Sequence, residues 1–331
     1  MRTLELLAPA KDLECGLAAI DHGADAVYIG AEKFGARAAA GNSLADIQRL
    51  TDYAHQFGAK VFVTVNTIVF ERELQATQQL ITDLARIGVD ALLVQDMATL
   101  AMRRVALGEV GHVPQLHAST QCDTRSAEKV RWLRQLGFTR VVLAREFSVE
   151  EIGAIHREVP VSYSGVCYAS QHCFQRSANR GECAQFCRMK FDLLDADGQL
   201  IEHDRYLLSM KDLCQIDHLE ELADAGASSF KIEGRLKDAN YVKNVVSAYS
   251  RRLDELVARR PDAYRRASFG TVAYQFEPSL RKTFNRGFTH YFLHGRGPDI
   301  ASFDTPKALG EYVGTVKEVR RQSFNVAGTA S

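Results

Sequence analysis

The strongest constraint on the fold is a repeated unit, in which a segment of helical periodicity ends near a glycine and a short apolar run follows. Glycine is favoured after a helix because it adopts the left-handed conformation of a C-cap. The runs VYIG, VFVTVN, LLVQ, VVLA and SFKI are apolar at nearly every position, which is typical of parallel strands buried on both faces. The unit recurs at residues 13–30, 44–67, 74–96, 97–120, 127–146 and 219–234.

The number of units distinguishes between the two main folds with alternating helices and parallel strands. LELLAPA (4–10) adds an opening strand, and the weaker segment VPVSYSG (159–165) would complete a set of eight. A span of about 250 residues and seven or eight strands favours a barrel. A glycine-rich dinucleotide fingerprint does not follow the first strand, which argues against the doubly wound sheet. We therefore predict an α/β chain with a TIM-barrel-like (β/α)8 domain.

A second, smaller domain is predicted after the long helix that follows Tyr241. We place the barrel at residues 1–262 and a small β-rich domain at 263–331, with strands in TVAYQFEPSL and in GEYVGTVKEVRRQSFNVAG. This domain is expected to be incomplete, because the sequence stops at NVAGTAS without a closing element.

The barrel prediction places a pocket at the carboxyl ends of the strands. Lys231 and Glu233 alternate with Ile232, so both should face the barrel interior, where a charged pair is costly unless it serves a site or pairs internally. Asn66 and His117 are the other candidate catalytic residues. Each residue alone is as typical of a loop or helix cap, but many polar residues converge there: Tyr28, Thr64, Asn66, Gln95, Asp96, His117, Ser119, Arg145, Glu146, Lys231 and Glu233.

Four of the seven cysteines fall within residues 167–187, with the spacing C-x5-C-x9-C-x3-C, in a loop (165–190) that contains glycine and serine. The sequence has neither a long apolar run nor a secretory leader, so we expect a cytoplasmic protein without a membrane span. In a reducing compartment, clustered cysteines are more often metal ligands or reactive thiols than disulfides. The spacing lacks the C-x2-C pairs of a zinc ribbon, and iron–sulfur, zinc and unligated thiols remain open.

Positive charge is local in this chain, whose formal net charge is zero. Residues 251–296 contain ten lysines and arginines against four acidic residues. Arg176, Arg180 and Arg188 are interleaved with the cysteines, and arginine suits bidentate binding of phosphate or carboxylate. These three are candidate substrate-binding residues for RNA or a small anion, or they neutralise an anionic cluster.

Several long motifs, in one order, resemble a known family over nearly the whole chain. They are LELLAPAKDLECGLAAIDHGADAVYIG, SYSGVCYAS, RSANRGECAQFCR, LLSMKDLC and SFKIEGR. They are similar to peptidase family U32, the collagenase-like proteases. CFQRSANRGECAQFCRMKFDL and FNRGFTHYFLHGR most resemble the branch that hydroxylates a cytidine of 23S rRNA at C5. The resemblance implies a [4Fe-4S] cluster, prephenate or a related anionic hydroxyl source as co-substrate, and 23S rRNA or its precursor as partner.

The family's cluster ligands correspond to Cys167, Cys183 and Cys187, and its fourth ligand falls at Pro160. A short segment with the end of a strand is expected to be missing between Pro160 and Val161. Three thiolates would then leave one iron open to solvent or to a substitute ligand, for which Cys173, Cys214 and His172 are candidates, and the cluster would be held less firmly. Arg235, just beyond the SFKIEG strand, is a further candidate substrate-binding residue.

Two other functions are consistent with parts of the sequence. A peptidase would need a paired nucleophile and base or an open zinc site, but H-E-x-x-H and G-x-S-x-G do not occur. His172 and Cys173 are adjacent and would point apart. A non-catalytic iron–sulfur scaffold, one subunit of a hydroxylase pair, is the other alternative.

Overall fold

The structure is a computed structural model that describes residues 1–32, 41–144, 147–156, 161–164, 169–180, 182–234, 237–295 and 297–328. The helices are α1 (Leu13–Asp21), α2 (Leu44–His55), α3 (Leu74–Ile87), α4 (Ala98–Val110), α5 (Ala127–Gln135), α6 (Val149–His156), α7 (Ala169–Phe174), α8 (Leu219–Ala225) and α9 (Ala239–Arg259).

The strands are β1 (Arg2–Ala10), β2 (Ala26–Gly30), β3 (Lys60–Val65), β4 (Ala91–Val94), β5 (Gln115–Ala118), β6 (Arg140–Ala144), β7 (Val161–Ser164), β8 (Phe191–Leu194), β9 (Leu200–Arg205), β10 (Asp212–Leu213), β11 (Ser229–Lys231), β12 (Tyr264–Arg266), β13 (Phe288–Thr289), β14 (Thr315–Val319) and β15 (Phe324–Ala327).

Eight of these strands form a curled parallel sheet in the order β11-β1-β2-β3-β4-β5-β6-β7. Strand β7 also lies beside β11, so the sheet curls towards closure and the predicted TIM-barrel-like fold is confirmed. The weak segment takes the seventh position, since Val161 to Ser164 pair with Val141 to Ala144. The predicted gap before it involves Pro160, which lies outside the described residues.

Local signals in the sequence account for the ends of the helices. The Asp12 side chain accepts a hydrogen bond from Cys15 N at 2.9 Å and so caps α1. Gly88 and Gly226 end α3 and α8 with φ of 83° and 113°, a conformation that a side chain would strain. Gly88, Gly111 and Gly226 are therefore C-caps, as predicted. In α1, α2 and α5 the corresponding glycine, also with positive φ, lies one or two residues beyond the cap: Gly23, Gly58 and Gly137.

Apolar side chains alternate between two layers along the strands. Those that point outward pack under the helices, as Val61, Val63 and Val65 of β3 do. Those that point inward form a small separate core inside the barrel, made of Leu7, Ala26, Tyr28, Phe62, Ala91, Leu93 and Val142. The strands thus read as continuously apolar because both faces are buried.

Outside the barrel lie the antiparallel hairpins β8–β9 and β14–β15 and the parallel pair β10–β13. Strand β12 pairs with β1, so residues just after the proposed boundary at 262 extend the barrel sheet. The predicted strand in TVAYQFEPSL is wrong. Its backbone is held instead by α9, where Asn244 exchanges two 2.8 Å hydrogen bonds with Ser279 and Arg251 donates to Phe276 O. Among the described residues, no helix has the length and apolar content to cross a bilayer.

Candidate functional site at the barrel rim

Lys231 and Glu233 meet at the carboxyl end of β11, as their alternation predicts. Lys231 Nζ lies 3.0 Å from Glu233 Oε1, with the lysine side chain 7% exposed and the glutamate 53% exposed. Beneath them, fully buried Tyr28 donates its hydroxyl to Ile232 O at 2.9 Å, and Lys231 Nζ lies 4.6 Å from its ring centroid. The pair joins a desolvated cation to a carboxylate that solvent and ligands can reach.

Asn66 lies at the rim beyond β3 and donates to Ser119 Oγ, beyond β5, at 3.0 Å. The backbone carbonyl of Asn66 accepts a hydrogen bond from the side-chain amide of Asn179 at 3.0 Å. The same side-chain amide of Asn179 also donates to Gln95 Oε1 at 2.8 Å. Asn179 belongs to the cysteine segment, which we define as the described residues of 169–190. Asn179 therefore fastens the segment over the ends of β3 and β4, and Asn66 links this contact to the end of β5. Asn179 lies within the quoted motif RSANRGECAQFCR, but sequence reasoning did not single it out.

Arg180 fastens the same segment by charge. Its guanidinium contacts the two Glu73 carboxylate oxygens at 3.2 and 3.1 Å, donates to Ile68 O at 2.7 Å and lies 4.2 Å from the Phe70 ring centroid. This hydrogen bond lowers the pKa of the Glu73 carboxyl group. The guanidinium of Arg180 is thus engaged within the protein, and that of Arg176 donates to Glu182 O at 2.9 Å.

His117 does not reach the rim, so its predicted placement there is wrong. It is 2% exposed, packs edge-on against Phe62 at a centroid distance of 4.7 Å, and pairs in register with Arg140, the first residue of β6. Burial, with the charges of Arg140 and Lys60, holds its pKa well below the ordinary value, so the ring is neutral. Its Nδ1 is buried without a hydrogen-bond partner among the described residues.

The described cysteines are free thiols. Cys183 and Cys187 are half-buried, and Ser170 Oγ steadies the backbone between them by accepting from Ala184 N at 2.8 Å. Cys173 is exposed, whereas Cys214 is half-buried with its Sγ 3.7 Å from Tyr249 Oη. Accessible thiols on an ordered loop suit an iron–sulfur cluster. The predicted ligand Cys167 lies outside the described residues, as do Arg145, Glu146 and Arg235.

Positive side chains collect beside these thiols. Arg188 follows Cys187 and donates to Ser209 Oγ at 2.9 Å; burial, followed by the nearby charge of Arg286, lowers its pKa. The carboxylate of Asp212 lies close enough to Arg188 to act against this lowering of its pKa. The same carboxylate accepts a hydrogen bond from Arg286 Nε at 3.3 Å. The segments of Cys187 and Cys214 therefore come together around Arg188 and Asp212.

An open groove of about 580 Å³ adjoins this region. Burial lowers the pKa of Lys237 to about 8, and its Nζ lies 2.8 Å from the ring centroid of Phe284. The ring of Phe284 is 37% exposed. The groove thus combines cationic, amide and aromatic groups, and it is lined by Lys11, Lys237, Asp238, Asn240, Tyr241, Asn244, Ser279, Lys282, Thr283 and Phe284.

A curled parallel barrel sheet with a polar rim, partly covered by a cysteine-bearing segment, defines the class of protein as a (β/α)8-type barrel. The chain belongs to peptidase family U32, whose sequence profile matches residues 11–302.

Relatives with different names match the chain. It is 48% identical to the 23S rRNA 5-hydroxycytidine C2501 synthase of Escherichia coli (strain K12), across 98% of this chain and 50% of the relative. It is 34% identical to tRNA hydroxylation protein P1 of Bacillus subtilis (strain 168), across 77% of this chain and 64% of the relative. It is 30% identical to a collagenase of Porphyromonas gingivalis (strain ATCC BAA-308 / W83), across 88% of this chain and 74% of the relative.

The chain spans half the length of the E. coli synthase. That alignment extends over 338 positions, more than the 331 residues of this chain, so residues of the synthase stand opposite gaps here.

Proposed function

We propose that this chain is an RNA hydroxylase that converts a cytidine of 23S rRNA to 5-hydroxycytidine. The observation that carries the proposal is the 48% identity to the E. coli synthase, which extends over 98% of the chain. Similarity to a tRNA hydroxylation protein supports the wider class of RNA hydroxylase. The rim and the groove provide groups that such a reaction needs.

An enzyme that modifies a base must draw it out of its stack and hold it by stacking and polar contacts. Phe284 is 37% exposed and offers aromatic surface for stacking on the side of its ring away from Lys237, and the exposed side chains of Lys11 and Lys282 can contact the phosphates on either side. Arg176 and Arg180 bind protein groups at 2.7–3.2 Å, whereas Lys11 and Lys282 have looser carboxylate partners at 3.7 and 3.5 Å, so we assign RNA contact chiefly to these two lysines. Arg286 is already paired with Asp212, and Arg188, which donates to the uncharged Ser209 Oγ, is assigned to a small anion beside the cysteines.

Hydroxylation replaces the C5–H bond by C5–OH and removes two electrons from the base, so a co-substrate must supply the oxygen and take up the electrons. We assign this role to prephenate or a related anionic hydroxyl source. Lys231 is 7% exposed, and a desolvated cation attracts a carboxylate more strongly than a solvated one. Lys231 orients the anion in this proposal, and the reachable Glu233 takes up the proton released from the base.

A [4Fe-4S] cluster is proposed on Cys167, Cys183 and Cys187, and when bound it supplies redox chemistry to the site. We favour Cys214 over Cys173 as the fourth ligand. Cys214 is half-buried near Asp212 and hence near Arg188, the neighbour of Cys187, whereas Cys173 is exposed on α7. Iron content after anaerobic purification should fall in Cys183→Ala, Cys187→Ala and Cys214→Ala, and not in Cys173→Ala. Cys15→Ala is the control, because that buried thiol hydrogen-bonds to Lys237 O within the fold. Equal iron in the Cys183→Ala variant and the parent would refute the cluster assignment.

The function is tested by expressing this chain in an E. coli strain that lacks its own synthase. Mass spectrometry of nucleosides from purified 23S rRNA should show 5-hydroxycytidine with the parent chain and none with Cys183→Ala. Folded, iron-loaded protein that leaves 23S rRNA unmodified would refute the substrate assignment. Hydroxylated nucleosides in the tRNA fraction of the same cells would indicate the tRNA activity instead.

The similarity to a collagenase makes proteolysis the second candidate. A cysteine peptidase needs its thiol within hydrogen-bonding reach of a histidine. In the described part of the chain, no cysteine thiol is hydrogen-bonded to a histidine; Cys214, for example, contacts Tyr249 instead. Gelatin cleavage that persists in Cys183→Ala, in the absence of RNA hydroxylation, would favour the peptidase. A chain that binds iron but does neither reaction would fit the scaffold alternative.

A further inference from the structure

Two histidines and a glutamate meet on the side of the barrel, where the segment after β13 crosses the start of α8. The Glu221 carboxylate lies 3.3 Å from His218 Nδ1, and both its oxygens lie 2.9 Å from His294 Nε2. The ligand atoms of all three residues lie within 4.8 Å of one another. We propose that His218, Glu221 and His294 bind a divalent zinc-like metal ion.

The donor set and its spacing both favour zinc. Two imidazoles and one carboxylate, with a fourth position for water, form a common zinc ligand set. Zinc–ligand distances of about 2.0 Å place the ligand atoms of a tetrahedron about 3.3 Å apart. The His218–Glu221 distance already has this value, and the His294–Glu221 distance is slightly shorter. Two of the three ligand–ligand distances therefore suit zinc already, and the two imidazole nitrogens, which lie within 4.8 Å of each other, need only rotate towards a shared ion.

The surroundings hold the imidazoles in place while leaving them accessible. His290 packs edge-on against His218 at a centroid distance of 4.5 Å, and its Nδ1 lies 3.2 Å from Cys214 O. Next to His294, Leu293 is 1% exposed and its carbonyl accepts from Val149 N at 3.3 Å. The side chains of His218, Glu221 and His294 are 22%, 40% and 51% exposed. The ring of His218 is therefore packed against a neighbouring imidazole, the backbone next to His294 is anchored, and an ion can enter from solvent.

Such an ion would join α8 to the segment that follows β13. That strand pairs with β10, which leads directly to Cys214. A metal at this position would therefore stabilise the packing behind the cysteine region without belonging to it. The site does not depend on the proposed RNA hydroxylation.

Cobalt(II) distinguishes this site from the cysteines, because thiolate ligation produces intense near-ultraviolet charge-transfer absorption and nitrogen–oxygen ligation does not. Titration of the anaerobically purified, iron-loaded full chain should show one tight Co²⁺ site with visible bands of tetrahedral type and no thiolate band. Zn²⁺ should displace the Co²⁺. His294→Ala and Glu221→Gln should weaken binding by more than the roughly 10–100-fold that loss of an outer-shell partner causes.

His55→Ala is the matched control, because His55 pairs with Asp90 at 3.0 Å at a similar exposure, and the described residues place no third ligand beside this pair. It should leave Co²⁺ binding unchanged, as should Cys183→Ala. Binding that survives in both His294→Ala and Glu221→Gln would overturn the proposal. Binding that is lost in Cys183→Ala would also overturn it, by assigning the ion to the cysteines. Both outcomes are independent of whether the chain hydroxylates RNA.

Discussion

At the end of the barrel where the strands begin, Glu5 and Arg140 face each other with side chains 4% and 15% exposed. Arg140 also donates to Ser229 Oγ at 3.3 Å, and Ser229 donates to Glu5 at 2.8 Å. At the end where the strands finish, Lys231 is equally buried, but its partner Glu233 is half exposed. One end satisfies its charges within the fold, and the other leaves a carboxylate that incoming molecules can reach.

The difference separates a structural ion pair from a candidate functional one. A buried ion pair that is fully hydrogen-bonded affects stability mainly when one partner is removed, because the other charge is then left buried without compensation. A pair with one accessible member can exchange that partner for an incoming anion at little cost. We therefore expect substitutions at the end where the strands begin to change stability, and substitutions at the rim to change activity.

The largest effect is expected at the closed end of the barrel. Arg140→Met leaves the Glu5 carboxylate buried without its cation, which should lower the free energy of unfolding by about 3–5 kcal/mol. Urea denaturation measures this loss. Arg86→Met, which removes an exposed partner of Asp83, should cost less than about 1 kcal/mol. Similar losses of unfolding free energy in the two variants would show that the pair of Glu5 and Arg140 is not effectively buried.

At the rim, Lys231→Met should have the opposite profile. We expect hydroxylation to fall by about 100-fold, because a charged group aimed at a bound anion or at developing charge is lost. Unfolding free energy should change by less than about 1 kcal/mol, since Glu233 can be solvated. Lys190→Met, at the exposed pair with Asp204, is the control and should retain full activity. A large loss of stability with unchanged activity would make Lys231 a structural residue like Arg140.

A third, smaller effect concerns the attachment of the cysteine segment to the rim. Asn179→Ala removes hydrogen bonds to Asn66 O and Gln95 Oε1, each worth about 0.5–1.5 kcal/mol. The segment should open more often, and amide hydrogen exchange across residues 169–190 should accelerate about 10-fold. Gln171→Ala, an exposed position in the same segment, should leave exchange unchanged. Equal exchange in both variants would show that Asn179 does not hold the segment.

The barrel could be predicted from the sequence because both faces of its strands are buried, so the strands are apolar at successive positions. The depth at which a side chain lies within the barrel could not be predicted from the sequence. The sequence placed His117 at the carboxyl end of its strand, but its level in the barrel depends on register with Arg140 of the neighbouring strand. TVAYQFEPSL resembles a strand locally, yet its backbone is satisfied by Asn244 and Arg251 of a helix. In both cases the structure depends on contacts between residues that are far apart in the chain, and a single sequence does not reveal such contacts.

The candidate site shows the same division. Lys231 ends β11 and Glu233 lies two residues further along the chain, so their pairing followed from alternation alone. Asn179 and Asn66 are 113 positions apart, and Arg180 and Glu73 are 107 apart. The arginines therefore looked like ligand-binding groups, although the structure gives the guanidinium of Arg180 a carboxylate within the protein. The cysteine spacing left iron–sulfur, zinc and unligated thiols open. The proposal of Cys214 rather than Cys173 as a fourth ligand depends on how β10 approaches the segment, which the spacing does not reveal.

The smallest expected effect is the pH dependence of the ion pair between Arg180 and Glu73. The hydrogen bond from Arg180 lowers the pKa of Glu73 in the docked segment. A lowered pKa means that its stabilisation is complete above the ordinary glutamate pKa of about 4.3 and is lost as pH falls through the docked value. Hydrogen exchange of residues 169–180 should thus show constant protection between pH 7 and 5, after correction for intrinsic rates, and reduced protection below about pH 4. Because the pair is partly solvated, its contribution should not exceed about 1 kcal/mol. Glu73→Gln should remove the acid dependence and reproduce the weaker docking at neutral pH. A variant that keeps the parent's acid dependence would assign it to another carboxyl group.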